Sequence, residues 1–270
     1  MEELKIKAPA KINLHLEVLK KRDDGFHDIS SLFTLIDLYD NIVFKRNKDE
    51  ISLKETNPIE NNIVLKAATL IKDLYSIKDG VSIELTKSIP DQKGLGGGSS
   101  DAAATLVGLN KFWDLKISPR ELIDIALQLG SDVPFFIFGK TAWAHGRGEI
   151  LEEYPYKESF FLLKFPKLKM STKLAFEKSN LEFNDSQNKK ILDAKDYFNS
   201  FEYWIRNNYS EIDEIFKKLE AVGEPRLSGT GSTVFMEYQN LEAAQLAKEQ
   251  FPELVLTKSL ERSPLMQIIE

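Results

Sequence analysis

The sequence of 270 residues contains no cysteine, which excludes disulfide bonds, thiol catalysis and metal sites built on cysteine. It has only three histidines, and neither an HExxH motif nor an EF-hand loop occurs. His15 and His145 have no second metal ligand at a suitable spacing, so neither is given a chemical role. We therefore expect no metal site formed by protein side chains alone.

An excess of basic residues and long apolar segments are also missing. The 36 Lys and Arg residues are outnumbered by 42 Asp and Glu residues, for a net charge of −6, whereas nucleic-acid-binding proteins are usually basic. No segment approaches the ~18 uninterrupted apolar residues of a membrane span, and the opening MEELKIKAPAKINLHLEVLKK has no apolar signal-peptide core. These absences predict a cytoplasmic protein without nucleic-acid or membrane partners.

The composition that is present is typical of a globular protein, with 42% hydrophobic and 29% charged residues. At roughly 150 residues per domain, the length favours two domains. The composition shifts at EEYPYKES (152–159), which predicts one domain at 1–155 and a second at 156–270. Strands and helices follow one another without a strict βαβ order, so we expect an α+β fold in both domains.

Strands are predicted where apolar and polar residues alternate. These segments lie at 5–19, 26–44, 51–55, 81–90, 160–166 and 253–260, with two further strands and a tight glycine turn across 226–238. A polar linker is expected at NDSQNKK (184–190), and no internal repeat is visible.

Helices are predicted from N-terminal caps and from apolar residues three or four positions apart. The clearest start is a capping box with Ser118 at the N-cap, Pro119 at N1 and Glu121 at N3, and Gly130 is expected to end that helix. The other predicted helices begin after Asn62, run from 99 to 113, follow Asp132, begin near 172, and cover 196–208, 210–221 and 241–251. The expected buried faces are Ile63, Ala67, Leu70 and Leu74 in the helix after Asn62, and Ala102, Leu106, Leu109 and Trp113 in the helix from 99.

The stretch GLGGGSSDAAA (94–104) stands between a predicted strand and a predicted helix. Such a junction is a natural anion site, because glycines let backbone N–H groups close on a phosphate and the helix N-terminus adds positive potential. It is not a Walker A loop, because Ser99 follows Gly98 where that motif needs a lysine. It is not a dinucleotide-binding loop either, because Ser99 stands where GxGxxG needs its last glycine, and protein-kinase signatures are absent. A glycine turn without a ligand is the alternative, but the two hydroxyls and the acid that follow favour a phosphate site that could also contact Mg²⁺.

The loop resembles the second motif of the GHMP small-molecule kinases, and three distant segments agree with it. PAKINL (9–14) resembles the first motif, LGSDVPFF (129–136) the acid-bearing segment, and LSGTGSTVF (227–235) the glycine-rich third motif. The opening APAKINLHLEVLKKRDDGFHDISSLF is most similar to one branch of the family, whose substrate is an alcohol linked to cytidine diphosphate. The resemblance covers essentially the whole chain. It implies an N-terminal domain like domain 2 of ribosomal protein S5, a ferredoxin-like C-terminal domain, and a ligand cleft between them.

The function implied by the resemblance is phosphorylation, with ATP and Mg²⁺, of the 2-hydroxyl of 4-diphosphocytidyl-2-C-methyl-D-erythritol in the non-mevalonate isoprenoid pathway. Another GHMP kinase activity, on homoserine, mevalonate or a sugar, is one alternative. A catalytically inactive nucleotide-binding protein of the same fold and a structural module without a ligand are two others. The oligomeric state is open between a monomer and a weak dimer.

Phosphoryl transfer to an alcohol needs phosphate positioning, charge neutralisation and a group that takes the hydroxyl proton. The resemblance assigns to Asp132 the role of accepting the hydroxyl proton. It implies that Lys11 lies beside this carboxylate, keeps it ionised and stabilises the developing negative charge. Each residue has a structural alternative, since Asp132 could simply cap the helix that follows it and Lys11 could face solvent.

The glycine loop is expected, from the same resemblance, to wrap the triphosphate of ATP with backbone N–H groups and hydroxyls. The residues concerned are Gly94, Gly96, Gly97, Gly98, Ser99 and Ser100, with Leu95 packed in the core. Asn62 would lie near the adenine, with a helix N-cap as the alternative. The loop departs from the family's commoner IPMGAGLGGGSS at Asp91, Gln92 and Lys93, and we expect Lys93 to be solvated.

Recognition of the nucleobase is assigned by the resemblance to His27, which would bind the polar edge of cytosine, and to Phe26, which stands where a tyrosine is common and keeps a stacking face. Phe33 and Phe176 are candidates for the other face of the pyrimidine, with core packing as the alternative. Asn13 would hydrogen-bond the substrate near the reacting centre, since a polar residue in an apolar strand needs a partner. The turn at 228–231 is expected to support the glycine loop rather than touch a ligand.

Overall fold

The structure is a computed structural model that describes residues 1–55, 60–179, 181 and 196–269. Its strands are β1 (Glu3–Lys21), β2 (His27–Asn47), β3 (Ile51–Glu55), β4 (Gly80–Thr86), β5 (Ala142–His145), β6 (Ile150–Glu153), β7 (Phe160–Lys164), β8 (Arg226–Leu227), β9 (Val234–Tyr238) and β10 (Val255–Leu260). Its helices are α1 (Ile63–Leu74), α2 (Gly97–Phe112), α3 (Pro119–Ala126), α4 (Val133–Phe138), α5 (Thr172–Lys178), α6 (Glu202–Asn208), α7 (Ser210–Leu219), α8 (Leu241–Gln250) and α9 (Met266–Ile269). The α+β prediction is confirmed. None of the helices in these ranges is both long and apolar enough to cross a bilayer.

The sheet is organised around the long antiparallel pair of β1 and β2. One end of β2 carries β4 and then β3, which is parallel to β4, and the other end carries β5 and β6. The register of β1 against β2 shifts at Pro9, a residue with no N–H to give to the ladder. Just after this shift, the N–H of Lys11 donates to the carbonyl of Leu95 at 3.0 Å. The irregular strand therefore binds the glycine loop directly.

The last strand joins the two halves of the chain. β10 pairs with β2 at Ile36 and Leu35 on one side and with β7 on the other, and the order continues through β9 to β8. Beyond β10 the chain returns to the first half, where the N–H of Ser263 donates to the carbonyl of Gly139 at 2.7 Å. The division at 155/156 stays a prediction.

Three clusters of buried side chains hold these elements. The first lies between the β1–β4 end of the sheet and α1–α4 and contains Phe44 and Phe135, and the second lies under α5–α8 and contains Phe201 and Phe216. The third joins residues from both sides of the predicted boundary. Its members include Ile12, Leu95, Trp143, Phe161 and Phe235. Leu95 is 1% exposed, as predicted.

Most predicted elements are confirmed within a few residues, but several details differ. α1 buries Val64, Ala67, Ala68 and Ile71, whereas the predicted face ended on Leu74, which is 51% exposed. The apolar face was therefore assigned about one residue out of phase. The predicted helix at 196–208 begins only at Glu202, and α3 ends at Ala126 before Gly130. The strands β5 and β6 and the helix α9 were not predicted. The predicted linker at 184–190 lies outside the described residues.

α2 differs most informatively from its prediction. It begins at Gly97 rather than Ser99, so part of the glycine loop is already helical. Ala102, Leu106 and Leu109 are buried as expected, but so is every other residue from Ser100 to Leu109. Because α2 is packed closely against the sheet, it needs small side chains: a Cβ added at Gly108 would lie 2.5 Å from the Phe44 ring.

Candidate active site

A cleft of about 1260 Å³ lies where β1, the glycine loop, the β5–β6 turn, α5 and the turn at 229–230 meet. Its wall carries six cationic side chains and three carboxylates, although the whole chain has a net charge of −6. The cations are Lys11, Lys21, Lys87, Lys93, Arg147 and Lys173, and the carboxylates are Asp91, Asp132 and Glu177. A cleft with this local excess of positive charge suits polyanionic ligands.

The glycine loop forms the N-terminus of α2 and opens into the cleft. Gly96 is the N-cap with a φ of 68°, and no side chain caps the helix, so the first N–H groups of α2 are open to a ligand. Glycine is required at Gly94, where φ is +74° and a Cβ would lie 2.2 Å from the carbonyl oxygen of Ser228. Such a close approach of two backbones fits a loop that must hold a fixed shape around phosphates.

The turn at 228–231 supports this loop from the other half of the chain. Ser228 Oγ donates to the carbonyl of Gly94 at 2.9 Å, and the N–H of Thr233 donates to the carbonyl of Lys93 at 3.2 Å. These are the supporting contacts that the sequence favoured over direct ligand contact. They couple the glycine loop to β8 and β9.

The expectation that Lys93 is solvated is wrong. The residue is 7% exposed, and its Nζ donates to the carbonyls of Pro166, at 2.5 Å, and Leu168. It also lies 3.3 Å from Ser232 Oγ. Burial lowers the pKa of Lys93. The departure from the commoner family loop is therefore compensated by buried contacts with the segment that follows β7.

Lys11 and Asp132 meet at the base of the cleft. Lys11 Nζ lies 3.4 Å from Asp132 Oδ2 and donates to Asn13 Oδ1 at 2.5 Å. The Lys11 side chain is only 5% exposed, so the alternative of a solvent-facing lysine is wrong. A Cβ at Gly96 would lie 3.0 Å from Lys11 Cγ, so this lysine packs directly against the glycine loop. The ammonium also lies 4.8 Å from the centre of the Phe33 ring.

Asp132 holds the N-cap position of α4 but does not act as a side-chain cap. No hydrogen bond joins its carboxylate to the first turn of α4, and the side chain is 34% exposed toward the cleft. The alternative that a capping role alone explains this aspartate is therefore not supported. Asn13, by contrast, is 3% exposed, with Nδ2 donating to Ser31 Oγ at 2.9 Å and Oδ1 bound to Lys11. It holds Lys11 in place, and its contact with substrate stays a prediction.

The predicted nucleotide residues fall into two groups. The four glycines and Ser99 line the cleft. Ser100 is fully buried, its N–H donates to the carbonyl of Gly96 at 2.9 Å, and its Oγ has no hydrogen-bond partner among the described residues. Asn62 is the N-cap of α1, with Oδ1 accepting from the N–H of Val64 at 2.9 Å and Nδ2 donating to Glu55 at 2.6 Å. The capping role of Asn62 is confirmed, and its contact with adenine stays a prediction.

Sequence reasoning missed Lys87, which follows β4 directly and lines the cleft below Gly97. Its Nζ donates to Asp40 at 2.5 Å and to Asp101 at 2.6 Å. Burial lowers the pKa of Lys87, but the two carboxylates outweigh it and raise that pKa overall. Burial raises the pKa of Asp101 to about 7. Asp101, the acid of SSDAAA, is thus bound to Lys87. The position of Lys87 between a strand and the glycine loop is the sequence signal that could have identified it.

The aromatic residues lie at the other end of the cleft. The His27 imidazole stacks on the Phe176 ring with centroids 4.7 Å apart and planes 26° apart. Burial and the nearby Lys21 ammonium lower the pKa of His27, which favours the neutral imidazole. Phe26 is 49% exposed, whereas Phe33 is 1% exposed and packs edge-on against the buried Phe135 ring. Core packing describes Phe33, and its contact with a substrate stays a prediction.

The remaining histidines and the carboxylates form no metal centre in the described part of the chain. No group of three or more His, Asp or Glu side chains is arranged there to hold an ion. His15 is buried beside Trp143, and this burial lowers the pKa of His15 to about 4.

Comparison with known proteins gives a consistent result. The model of the GHMP kinases N terminal domain matches residues 62–140, and that of the GHMP kinases C terminal domain matches residues 196–255. The chain is 36% identical to 4-diphosphocytidyl-2-C-methyl-D-erythritol kinase of Acinetobacter baylyi, with 97% of each chain covered. It is 40% identical to the kinase of the same name from Wigglesworthia glossinidia brevipalpis, over 86% of this chain and 80% of that one.

A solved structure agrees with these relatives. The crystal structure of a 4-(cytidine 5'-diphospho)-2C-methyl-D-erythritol kinase superposes with a TM-score of 0.80 at 29% identity, covering 95% of this chain and 99% of the other. The predicted fold, with the GHMP kinase architecture in both halves, is confirmed. The chain belongs to the GHMP kinases and, within them, to the family of the 4-diphosphocytidyl-2-C-methyl-D-erythritol kinases.

Proposed function

We propose that this chain transfers the terminal phosphoryl group of ATP to the 2-hydroxyl of 4-diphosphocytidyl-2-C-methyl-D-erythritol, a step of non-mevalonate isoprenoid biosynthesis. The observation that carries the proposal is that three groups of residues line one cleft. These are an open helix N-terminus at the glycine loop, the Lys11–Asp132 pair with 3.4 Å between Nζ and Oδ2, and the stacked His27 and Phe176 rings.

The nucleotide end of the proposal rests on the glycine loop. The N–H groups of Gly97, Gly98 and Ser99 would bind the triphosphate, while Gly94 and Gly96 allow the backbone to close on it. ATP supplies the phosphoryl group, and Mg²⁺ neutralises charge on its phosphates. Lys87 would add positive charge below the loop while it holds α2 through Asp101.

The chemical step falls to Asp132 and Lys11. The exposed face of the Asp132 carboxylate would accept the proton of the 2-hydroxyl as the oxygen attacks phosphorus. Lys11, fixed by Asn13 and by the packing under Gly96, would stabilise the negative charge that develops on that oxygen. The two groups lie within ion-pair distance of each other, so both can face the same hydroxyl.

The nucleobase end gives the proposal its substrate. A neutral His27 has one donor and one acceptor nitrogen, which suits the polar edge of cytosine, and the aromatic rings of Phe176 and Phe26 offer stacking surfaces. Homoserine and mevalonate have no base that would need these groups. A cytoplasmic location, a monomer or weak dimer, and action without nucleic-acid or membrane partners remain predictions of the sequence.

The test is ATP consumption by the purified chain with Mg²⁺ and, in parallel, 4-diphosphocytidyl-2-C-methyl-D-erythritol, homoserine and mevalonate. We expect turnover with the cytidine substrate alone, and its loss in Asp132→Asn and Lys11→Ala. Turnover on one of the other alcohols would retain the catalytic pair and overturn the substrate. ATP binding without turnover on any of the three would indicate a nucleotide-binding protein instead. Unchanged turnover in Lys11→Ala would overturn the role of that lysine.

A further inference from the structure

Arg147 is a cation of the cleft that the sequence did not single out. It lies in the β5–β6 turn, and its guanidinium carbon is 4.6 Å from the centre of the Phe26 ring. The described carboxylate oxygen closest to the guanidinium is Glu149 Oε1, 3.9 Å from Nε and beyond hydrogen-bond distance, while Glu149 Oε2 accepts from the backbone N–H of Arg147. No hydrogen bond joins its guanidinium to a described residue. A half-buried guanidinium with five donors is therefore held by an aromatic face with its donors still available.

The place of Arg147 in the cleft is between the two ends of the site. The next residue is Gly148, where a Cβ would lie 3.7 Å from Asp132 Oδ1. On its other side, the guanidinium rests on Phe26, the neighbour of His27. The guanidinium therefore lies beside Phe26, and its own backbone adjoins Gly148, which lies close to Asp132.

The other buried cations of the cleft are already engaged. Lys11 binds Asp132 and Asn13, Lys87 lies between two carboxylates, and Lys93 donates to backbone carbonyls. Lys21 is exposed, and the Lys173 side chain is 84% exposed, so neither is held in a fixed position. Arg147 is thus the cation with both a fixed position and unused donors.

We propose that Arg147 binds the diphosphate of the substrate and makes the enzyme select a diphosphate-linked alcohol over an uncharged one; this rests on the proposed function. A planar guanidinium binds two phosphate oxygens at once, which a lysine ammonium does not do with the same geometry. Phe26 orients the guanidinium before the ligand arrives, so the ordering cost of the arginine side chain is reduced. Phe26 thereby serves the phosphate as well as the base.

Calorimetric binding of two probes, CDP and cytidine, tests the inference without catalysis. A non-hydrolysable ATP analogue occupies the glycine loop throughout, so that CDP cannot bind there. Wild type should bind CDP more tightly than cytidine. Arg147→Ala should weaken CDP binding about 10- to 100-fold and leave cytidine binding unchanged, since it removes charge-assisted hydrogen bonds to phosphate alone. The CDP affinity of Arg147→Lys should lie between those of wild type and Arg147→Ala.

The matched control is Arg120→Ala, which removes the same charge from an exposed position of α3 outside the cleft. It should leave both probes unaffected. Equal affinity of wild type for CDP and cytidine would overturn the inference, as would a loss in Arg147→Ala that is the same for both probes.

A kinetic arm separates this inference from the proposed function. With the cytidine diphosphate-linked alcohol as substrate, Arg147→Ala should raise KM by the same factor as it weakens CDP binding, with kcat changed less than about threefold. If wild type turns the substrate over and Arg147→Ala has the same KM for it, the role of Arg147 is overturned while the proposed function stands. If wild type does not turn the substrate over, the proposed function fails, and the CDP-to-cytidine ratio still decides the role of Arg147.

Discussion

The phosphate end and the nucleobase end of the cleft are built in different ways. At the glycine-loop end, which we propose binds the phosphates, the groups offered to a ligand are backbone N–H groups, fixed by buried contacts of Lys93, by Ser228 and by the Lys87 network. At the proposed nucleobase end the groups offered are side chains, and Phe26 there is 49% exposed. Changes at the first end should therefore act on stability and nucleotide binding together, whereas changes at the second should act on substrate binding and leave nucleotide binding unchanged.

The largest effect should come from Gly94→Ala. The new Cβ would lie 2.2 Å from the Ser228 carbonyl oxygen, and the residue would have to keep a φ of +74°. We expect a loss of about 3 kcal/mol or more in the free energy of unfolding, from strain and from displacement of the supporting turn. Chemical denaturation measures it.

Gly98→Ala is the matched control for stability, because its Cβ would meet only Ile63 Cγ2, at 3.9 Å. It should be neutral or stabilise α2 by about 0.5–1 kcal/mol. Equal losses in the two variants would mean that the close approach at Gly94 is not what requires glycine.

A smaller effect is expected from Lys93→Met, which keeps the length of the side chain and removes its donors. The carbonyls of Pro166 and Leu168 would lose a buried donor, so we expect unfolding to become easier by about 1–2 kcal/mol and the KM for ATP to rise. Lys140→Met, at an exposed ion pair with Glu153, should change stability by less than about 1 kcal/mol. A more stable Lys93→Met would show that burying the ammonium costs more than its hydrogen bonds return.

At the nucleobase end, His27→Ala and Phe176→Ala should separate binding of the cytidine substrate from binding of ATP. Each should raise the KM for the cytidine substrate about tenfold, as expected for one lost hydrogen bond or stacking surface, while the KM for ATP stays the same. The melting temperature of His27→Ala should remain close to that of wild type, whereas Phe176→Ala should lower it, because the Phe176 ring also packs edge-on against the buried Phe201 ring. A parallel rise in the KM for ATP would contradict the separation of the two ends.

The mildest test is the pH dependence of substrate binding. Burial and Lys21 lower the pKa of His27, so the imidazole gains its proton at a lower pH than a free histidine does. The KM for the cytidine substrate should therefore rise as the pH falls through this lowered pKa, and His27→Gln should remove that rise. A KM that instead rises as the pH increases would contradict binding by a neutral His27.

The sequence predicted the parts of this molecule that depend on local pattern. The predicted strands, the N-cap at Ser118 and the cap at Asn62 follow from alternation and side-chain caps, and they are present, although the Glu121 carboxylate accepts from Tyr75 rather than completing a capping box. The fold and the family followed from four separated motifs. These features need only neighbours along the chain or a match to a known pattern.

The parts that were wrong depend on contacts between distant segments. Nothing near Lys93 in the sequence indicates that carbonyls more than seventy positions away would bury it. The network of Lys87 needs Asp40 and Asp101, which come together only when α2 packs on β2. Arg147 reaches Phe26 only because the β5–β6 turn folds over the start of β2.

The most direct test of the central claim, that Asp132 and Lys11 act on a hydroxyl delivered from the nucleobase end, is the kcat of Asp132→Asn with 4-diphosphocytidyl-2-C-methyl-D-erythritol at saturating ATP. ATP affinity and melting temperature are measured on the same preparation. We predict a fall in kcat of about 100- to 10,000-fold, as expected for the loss of a general base, with ATP affinity and melting temperature unchanged. A kcat within about threefold of wild type would contradict the account.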